Sequence, residues 1–490
     1  MQMRLKLKLL KISAGKPVIF LHESAAKKMG IHTGDRVAIK WNGDTLIAVA
    51  DLARGLIKKN EAAISEELAS NIKHKGYVEI LPSEVAESSF ILQNQKGCRE
   101  YTLKELEKIM SDIVNNLLTE AEIAYFISTM VHCNPSLQET INLTKAIVNT
   151  GNKLSWPYKI VADKHCIGGI PGNRTTPIVV SICASLGIIM PKTSSRAIIS
   201  AAGTADTIES IAPVNLSISN LKKVVKKTGA CLVWGGSLGL APADDKLIRV
   251  EKILRVDPES QLIASILAKK ISVGSTHVLI DIPYGEGAKV SKERGEKLSK
   301  LFALIGGKLG IKVKTILTEG KEPIGQGIGP ILEMKDVLRV LKQDNSPKDL
   351  EEKALLLAGN IIEMAGKAKT GKGIIKAKEA LYSGKAYKKF SEIISAQGGD
   401  VKSWLPEAKF HHTIISSHIG TIKKISNQNI NYIARIAGCP VDKASGLFIY
   451  KHVGEKISKG EKLITIFSES KIKLKEAVKF FIKQKPIVIT

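Results

Sequence analysis

Two stretches rich in small residues carry the side chains whose types and spacing suit chemistry. In the first, Asp163-Lys-His-Cys-Ile-Gly-Gly-Ile-Pro-Gly-Asn-Arg-Thr-Thr176, glycines at 168, 169 and 172 let backbone N–H groups converge on an anion. A helix starting directly after it would add its partial positive charge, and Lys164 and Thr176 would add donors. The spacing is neither that of a P-loop nor that of the dinucleotide fingerprint, and a tight structural turn is the alternative reading. The second stretch, Pro191-Lys-Thr-Ser-Ser-Arg-Ala-Ile-Ile-Ser-Ala-Ala-Gly-Thr-Ala-Asp-Thr-Ile-Glu209, interleaves hydroxyls and an arginine with small residues. Such residues build poor cores but line a pocket for phosphate or sugar hydroxyls well. The alternative there is a capped helix starting at Thr204 or Asp206.

The periodicity along the chain shows what must position these stretches. Residues 1 to about 84 read as β-rich: Leu5, Leu7 and Leu9 alternate with Arg4, Lys6 and Lys8, and the runs 18–21, 36–41 and 46–50 follow, with Asn42-Gly43 as a hairpin turn. A small N-terminal β-barrel lets such strands bury one face and hide their edges. Residues 83–99, rich in Ser, Gln, Asn and Gly, read as a linker. From Thr102 the period turns helical, with Leu103, Leu106, Ile109, Ile113 and Leu117 on one face and a capping-box signal in Thr119 and Glu122. A helical domain is expected over about 100–165. Beyond it, the apolar runs 178–182, 188–190 and 278–282 alternate with helical patterns such as Ile331, Met334, Leu338 and Leu341, which argues a large α/β phosphate-binding domain over 166–426. Residues 427–490 turn β-rich again around glycines 454 and 460, as in a hammerhead-like module, with no carrier-lysine motif. The fold class expected is multidomain α/β.

A chain of 490 residues has room for about three domains and a core that needs no covalent staple. Its six cysteines, at 98, 133, 166, 183, 231 and 439, form no C-x-x-C pair and have no nearby histidine spacing, so neither disulfides nor a metal site are expected. No run approaches ~20 apolar residues, so no membrane association and a cytoplasmic location are expected. The formal charge of +26 attracts phosphate, nucleotides or nucleic acid. Aromatics at 5% are too sparse and scattered for a base-stacking platform, which argues against nucleic acid, and the basic tail 471–485 reads as a solvated helix face.

Lys164-His165-x-x-Gly168-Gly169, then Ser194-x-Arg196 and Gly203-Thr204-x-Asp206-x-x-Glu209, closely resemble the signature of the thymidine/pyrimidine-nucleoside phosphorylase family. The block from Asp257 to Lys270 is similar to the family segment whose serine and lysine hydrogen-bond the base, and the resemblance extends from about Tyr101 to Asp400. It implies phosphate binding by Lys164, Cys166, Thr176, Ser194 and Thr204, with Arg196 in support, and a base held by Ser265 and Lys269. It further implies a homodimer, inorganic phosphate as co-substrate, no cofactor, and a helical domain that is joined by about 242–272. Three departures stand out: Cys166 replaces the family's serine, the loop has an extra residue near Pro171, and no arginine near Arg249 matches the pyrimidine-binding one.

The last two departures and the N-terminal barrel resemble a long subfamily that includes archaeal AMP phosphorylases. In that subfamily the positions matching Gly169, the segment from Ser195 through Arg196 to Ser200, Thr204, Ser265 and Lys289 contact the nucleotide, and the one matching Asp257 is the proposed proton donor. Asp257 precedes Pro258 at an expected helix start, so an N-cap is its other reading. The reaction implied is phosphorolysis of an N-glycosidic bond, with thymidine as the first expected substrate and AMP as the alternative. More distant are a phosphoribosyltransferase, such as the anthranilate enzyme, and a non-catalytic nucleic-acid-binding protein.

Overall fold

Alternating apolar side chains close the first strands on one another. The computed structural model describes residues 2–69, 72, 76–95, 97–197 and 200–490. In it β1 (Met3–Leu9), β2 (Val18–His22), β3 (Arg36–Trp41), β4 (Asp44–Ala53), β5 (Glu61–Ile64) and β6 (Tyr77–Pro82) form a closed barrel in the order β1-β5-β2-β4-β3-β6. Leu5, Ile19, Leu21, Val37, Ile39, Ile64, Val78 and Ile80 fill its interior. Asn42 and Gly43 both take positive φ, at 45° and 88°, as the tight turn between two antiparallel strands requires.

Helices follow at Leu103–Val114, Glu120–Cys133 and Leu137–Asn149. The first two start at reciprocal caps, Thr102 with Glu105 and Thr119 with Glu122. The helical face expected to run through Leu117 stops at Val114. Beyond that point, Lys246 of the helix Pro242–Leu254 donates to the carbonyls of Ile113 (2.8 Å) and Val114 (2.7 Å), which a helix end leaves free. Burial lowers the Lys246 ammonium to about 8. By its contacts the chain divides into Met1–Thr150 with Pro242–Pro258, and Gly151–Ala241 with Glu259–Thr490.

The second unit is built on parallel strands: β7 (Ala162–Cys166), β8 (Met190–Ser194), β9 (Ala230–Trp234), β10 (His277–Tyr284) and β11 (Lys312–Glu319). They pair as β11-β10-β7 and β8-β9, and a parallel bridge from Val161 to Ile189 links β7 to β8. The run 178–182 belongs to the helix Thr175–Ser185, and a helix buried along nearly its whole length has no polar side to betray its period. Residues Gly446–Ile449 and Lys462–Ser468 form an antiparallel hairpin, with Phe410–Ile415 and Gly327–Ile328 as its outer neighbours. The basic tail forms the helix Lys471–Gln484, which buries Leu474, Ala477 and Phe481.

Two expectations are corrected. The stretch 83–99 contains a helix, Glu87–Gln93, whose Ser88 donates to the buried Asp112 at 2.7 Å; polar composition hid a segment that buries its serines rather than exposing them. Cys98 and Cys133 form a disulfide with Cα atoms 5.2 Å apart. They stand 35 residues apart, and folding of the intervening helices brings the end of Glu120–Cys133 back to the turn at Cys98, a closure that local cysteine spacing does not encode. Replacing both cysteines by serine is expected to cost about 2–4 kcal/mol by releasing that loop in the unfolded chain. Denaturant unfolding against the parent checks this, and equal stabilities would contradict it.

Candidate active site

In the second unit the chain leaves β7 toward β8 and β9 on one side and later adds β10 and β11 on the other. The connections therefore diverge at β7, and the carboxyl end of a strand at such a reversal is where open α/β sheets bind ligands. The glycine-rich stretch lies there, between β7 and the helix Thr175–Ser185. Gly172 has φ 70°, and a Cβ on it would stand 2.1 Å from the Ile324 carbonyl oxygen. A Cβ on Gly169, with φ 96°, would meet the Lys289 backbone nitrogen at 3.2 Å. The first stretch thus packs against the loops that follow β10 and β11.

Beneath this end of the sheet lies a buried ionic cluster. Asp163 of β7 holds Lys192 of β8 at 3.1 Å and Lys270 of the helix Glu259–Ser272 at 2.8 Å, and all three are nearly excluded from solvent. Burial pushes the Asp163 carboxyl up, but the two ammonium groups outweigh it and the net shift is downward. Burial likewise lowers the Lys270 ammonium, against the attraction of Asp163. One carboxylate therefore registers the strand bearing Lys164, the strand bearing Ser194 and the helix bearing Ser265 and Lys269.

Lys164 points to the opposite face from Asp163, as strand alternation requires, and its Nζ donates to Thr175 Oγ1 (2.8 Å) and Thr176 Oγ1 (3.4 Å) at the start of the following helix. Cys166 Sγ accepts from the Gly168 N–H (3.5 Å) and from Asn173 Nδ2 (3.4 Å), and burial beside Asp281 pushes the thiol up to about 11. Arg174 ties the two stretches together: it donates to Thr204 Oγ1 (2.7 Å), to the Ala202 carbonyl (2.9 Å) and to Glu333 (2.6 Å). At the end of β8, the Ser194 hydroxyl is buried and has no hydrogen-bond partner among the described residues. The structure thus brings Lys164, Cys166, Thr176, Ser194 and Thr204 to the loops at the ends of β7 and β8.

Arg196 grips Glu209 through two hydrogen bonds of 2.6 and 2.7 Å, approaches Asp206 at 3.3 Å and stacks 5.0 Å from the Trp234 ring. Hydrogen bonds from Arg196 hold the Glu209 carboxyl at about 2, so this pair persists until acid pH. Asp206 in turn accepts from the backbone N–H groups of Ala197 and Gly203. With its guanidinium so occupied, Arg196 shapes the stretch from behind. Ser195 is exposed and Ser200 donates to the Ala202 carbonyl at 3.1 Å; Ile198 and Ile199 between them lie outside the described residues.

One helical turn apart, Lys269 donates to Ser265 at 3.4 Å. Burial first, then Lys270, Lys192, Lys269 and Lys164, push the His165 imidazole well below its usual value, so it is neutral at pH 7. Lys289 lines a surface depression with Lys292, Arg294, Glu286 and Ser291. Asp257 is exposed and lies in the other unit of the chain. Sequence reading left Lys192, Lys270, Arg174, Asp281 and Lys353 without roles; Arg174 had a signal in its place beside the glycine loop. Among the described residues no cluster of three or more His, Cys, Asp or Glu is set to hold a metal.

Residues 158–387 match the family described as glycosyl transferase family, a/b domain, and residues 421–487 match the pyrimidine nucleoside phosphorylase C-terminal domain. An AMP phosphorylase of Pyrococcus furiosus is 41% identical over 99% of this chain and 98% of its own length. One from Thermococcus sibiricus is 40% identical with the same coverage. A protein of Legionella pneumophila named "Putative thymidine phosphorylase" is 40% identical over 96% of this chain and 92% of its own. In fold, the chain is similar to anthranilate phosphoribosyltransferase of Thermus thermophilus, with a TM-score of 0.54 at 16% identity, covering 63% of this chain and 99% of that one.

Asp163→Asn strands two lysines in a dry interior. It is expected to lower stability by roughly 3–5 kcal/mol, the range for breaking a buried ion pair on one side only. Chemical denaturation reads the loss, and an unchanged midpoint would mean that Lys192 and Lys270 do not depend on this carboxylate.

Proposed function

The chain belongs to the thymidine/pyrimidine-nucleoside phosphorylase family, and on that premise we propose that it cleaves AMP with inorganic phosphate, giving adenine and ribose 1,5-bisphosphate. The observation that carries AMP over a nucleoside is Lys289, whose backbone lies against Gly169 of the glycine loop and whose surroundings include Lys292 and Arg294. A 5′-phosphate needs such cations, whereas thymidine would bring only a hydroxyl there. The full-length likeness to archaeal AMP phosphorylases supports the same choice. Thymidine, the first expectation from the sequence, becomes the second reading. It keeps the support of the Legionella relative's name and of the Ser265–Lys269 pair.

In this reading phosphate sits on the backbone N–H groups of the glycine loop and the start of the helix Thr175–Ser185, with Lys164, Thr176, Ser194 and Thr204 around it. It attacks the anomeric carbon opposite the base as positive charge develops on the sugar, and the fixed donors hold the nucleophile in line. The glycosidic bond breaks and the base leaves with its electron pair. Lys269 with Ser265 stabilises the charge developing on that base, and the resemblance to the long subfamily is what gives Asp257 the role of proton donor. Cys166 stands where the family has a serine and is the weaker donor of the two.

Lys164→Ala and Ser194→Ala are each expected to raise the phosphate KM by at least tenfold, since a hydrogen bond to a charged group contributes about 1.5–3 kcal/mol. Cys166→Ser is expected to preserve or improve phosphate use, and a collapse of activity in a folded Cys166→Ser protein would assign the thiol another role. Specificity constants for AMP, CMP, thymidine and uridine measured side by side are expected to favour AMP by about 100-fold or more. A preference for thymidine would overturn the AMP reading and leave phosphorolysis standing.

A further inference from the structure

One buried cation of the second unit has no part in the reaction as described. Lys353, on the helix Lys348–Met364, is 8% exposed, and its Nζ forms an ion pair with Asp281 Oδ2 at 3.1 Å. Its helix neighbours Leu350, Ala354 and Leu357 are buried apolar residues, so packing alone would be served by Leu or Met. A desolvated ammonium is costly, and its place beside an anion site gives that cost a use.

Asp281, fully buried, lies in β10 directly beside Cys166 of β7. It accepts from Thr318 Oγ1 of β11 at 2.6 Å and from Asn173 Nδ2 of the glycine loop at 3.5 Å. The same Asn173 Nδ2 reaches Cys166 Sγ at 3.4 Å, and Asn173 Oδ1 accepts from Thr175 Oγ1, to which Lys164 donates. Contacts therefore run unbroken from Lys353 through Asp281 and Asn173 to the residues proposed to hold phosphate. Without Lys353, Asp281 would keep its hydrogen bonds from Thr318 and Asn173 and the field of Lys164 but lose its ion-pair partner, and its less compensated charge behind a site for a dianion would oppose binding.

We propose that Lys353 is a positioning residue of the phosphate site: it neutralises Asp281 behind the glycine loop and lets that carboxylate anchor Asn173 without repelling phosphate. The inference deepens the phosphorylase reading and rests on it. Asp281 is the liability in this arrangement, and Lys353 is what makes it tolerable.

The test is calorimetric titration with inorganic phosphate alone, without nucleotide, so that substrate identity does not enter. Lys353→Met is expected to bind phosphate at least tenfold more weakly than the parent, and in turnover to raise the phosphate KM while the KM for AMP moves less than threefold. Adding Asp281→Asn to Lys353→Met removes the unpaired carboxylate and is expected to recover at least threefold of the lost affinity, which a purely structural role would not do. Lys353→Gln carries the same expectation should Lys353→Met not fold. Phosphate affinity within twofold of the parent in a folded Lys353 variant, or no recovery in the double variant, would overturn the proposal alone. A parent protein that binds no phosphate would overturn the phosphorylase reading and this inference together.

Discussion

Three elements far apart in sequence depend on one buried carboxylate. Asp163 sits in β7, Lys192 in β8 and Lys270 in the helix Glu259–Ser272, and all three charges are withdrawn from water. Each stands next to, or two residues from, a side chain proposed to touch substrate: Lys164 follows Asp163, Ser194 follows Lys192 by two, and Lys269 precedes Lys270. Buried ion pairs contribute little net stability compared with apolar packing, but they tolerate only one geometry. Here that geometry is the register among the phosphate loop, the hydroxyl-rich stretch and the base-facing helix, so specificity of arrangement is what the charges supply.

The same logic recurs one layer out. Arg174 bonds Glu333, Thr204 and the Ala202 carbonyl, and Arg196 bonds Glu209 and Asp206, so each arginine is consumed in holding a loop. Asp206 spends its second oxygen on the backbone N–H groups of Ala197 and Gly203. What is left for an anion is mostly neutral: backbone N–H groups, the Ser194 hydroxyl and threonine hydroxyls, with Lys164 close behind. Preorganised dipoles of this kind need no reorganisation when phosphate arrives or when charge moves in the transition state.

Local features of the sequence were legible where local physics decides. Asn42-Gly43 demands positive φ at two successive residues, and the Thr102/Glu105 and Thr119/Glu122 pairs can satisfy helix ends only one way. The helix Thr175–Ser185 was not distinguishable from a strand because burial on all sides erases the polar half of its period. Among candidate site residues, Lys164, Ser194 and Thr204 are singled out by their motif, and their roles belong to the proposed function. Lys192, Lys270, Asp281 and Lys353 were not, because a lone charged residue in an apolar run reveals its purpose only when its partner is known, and each partner comes from another element. The Cys98–Cys133 pair failed for the same reason.

The central claim is that this site directs phosphate, and not water, onto the anomeric carbon of a nucleotide or nucleoside. Turnover of AMP in isotopically labelled phosphate measures this most directly, by counting label in the sugar product against free adenine. One labelled phosphate retained at C1 per adenine released, with no release when phosphate is withheld, is the predicted result. Adenine released without label in the sugar, or released equally well in the absence of phosphate, would contradict it.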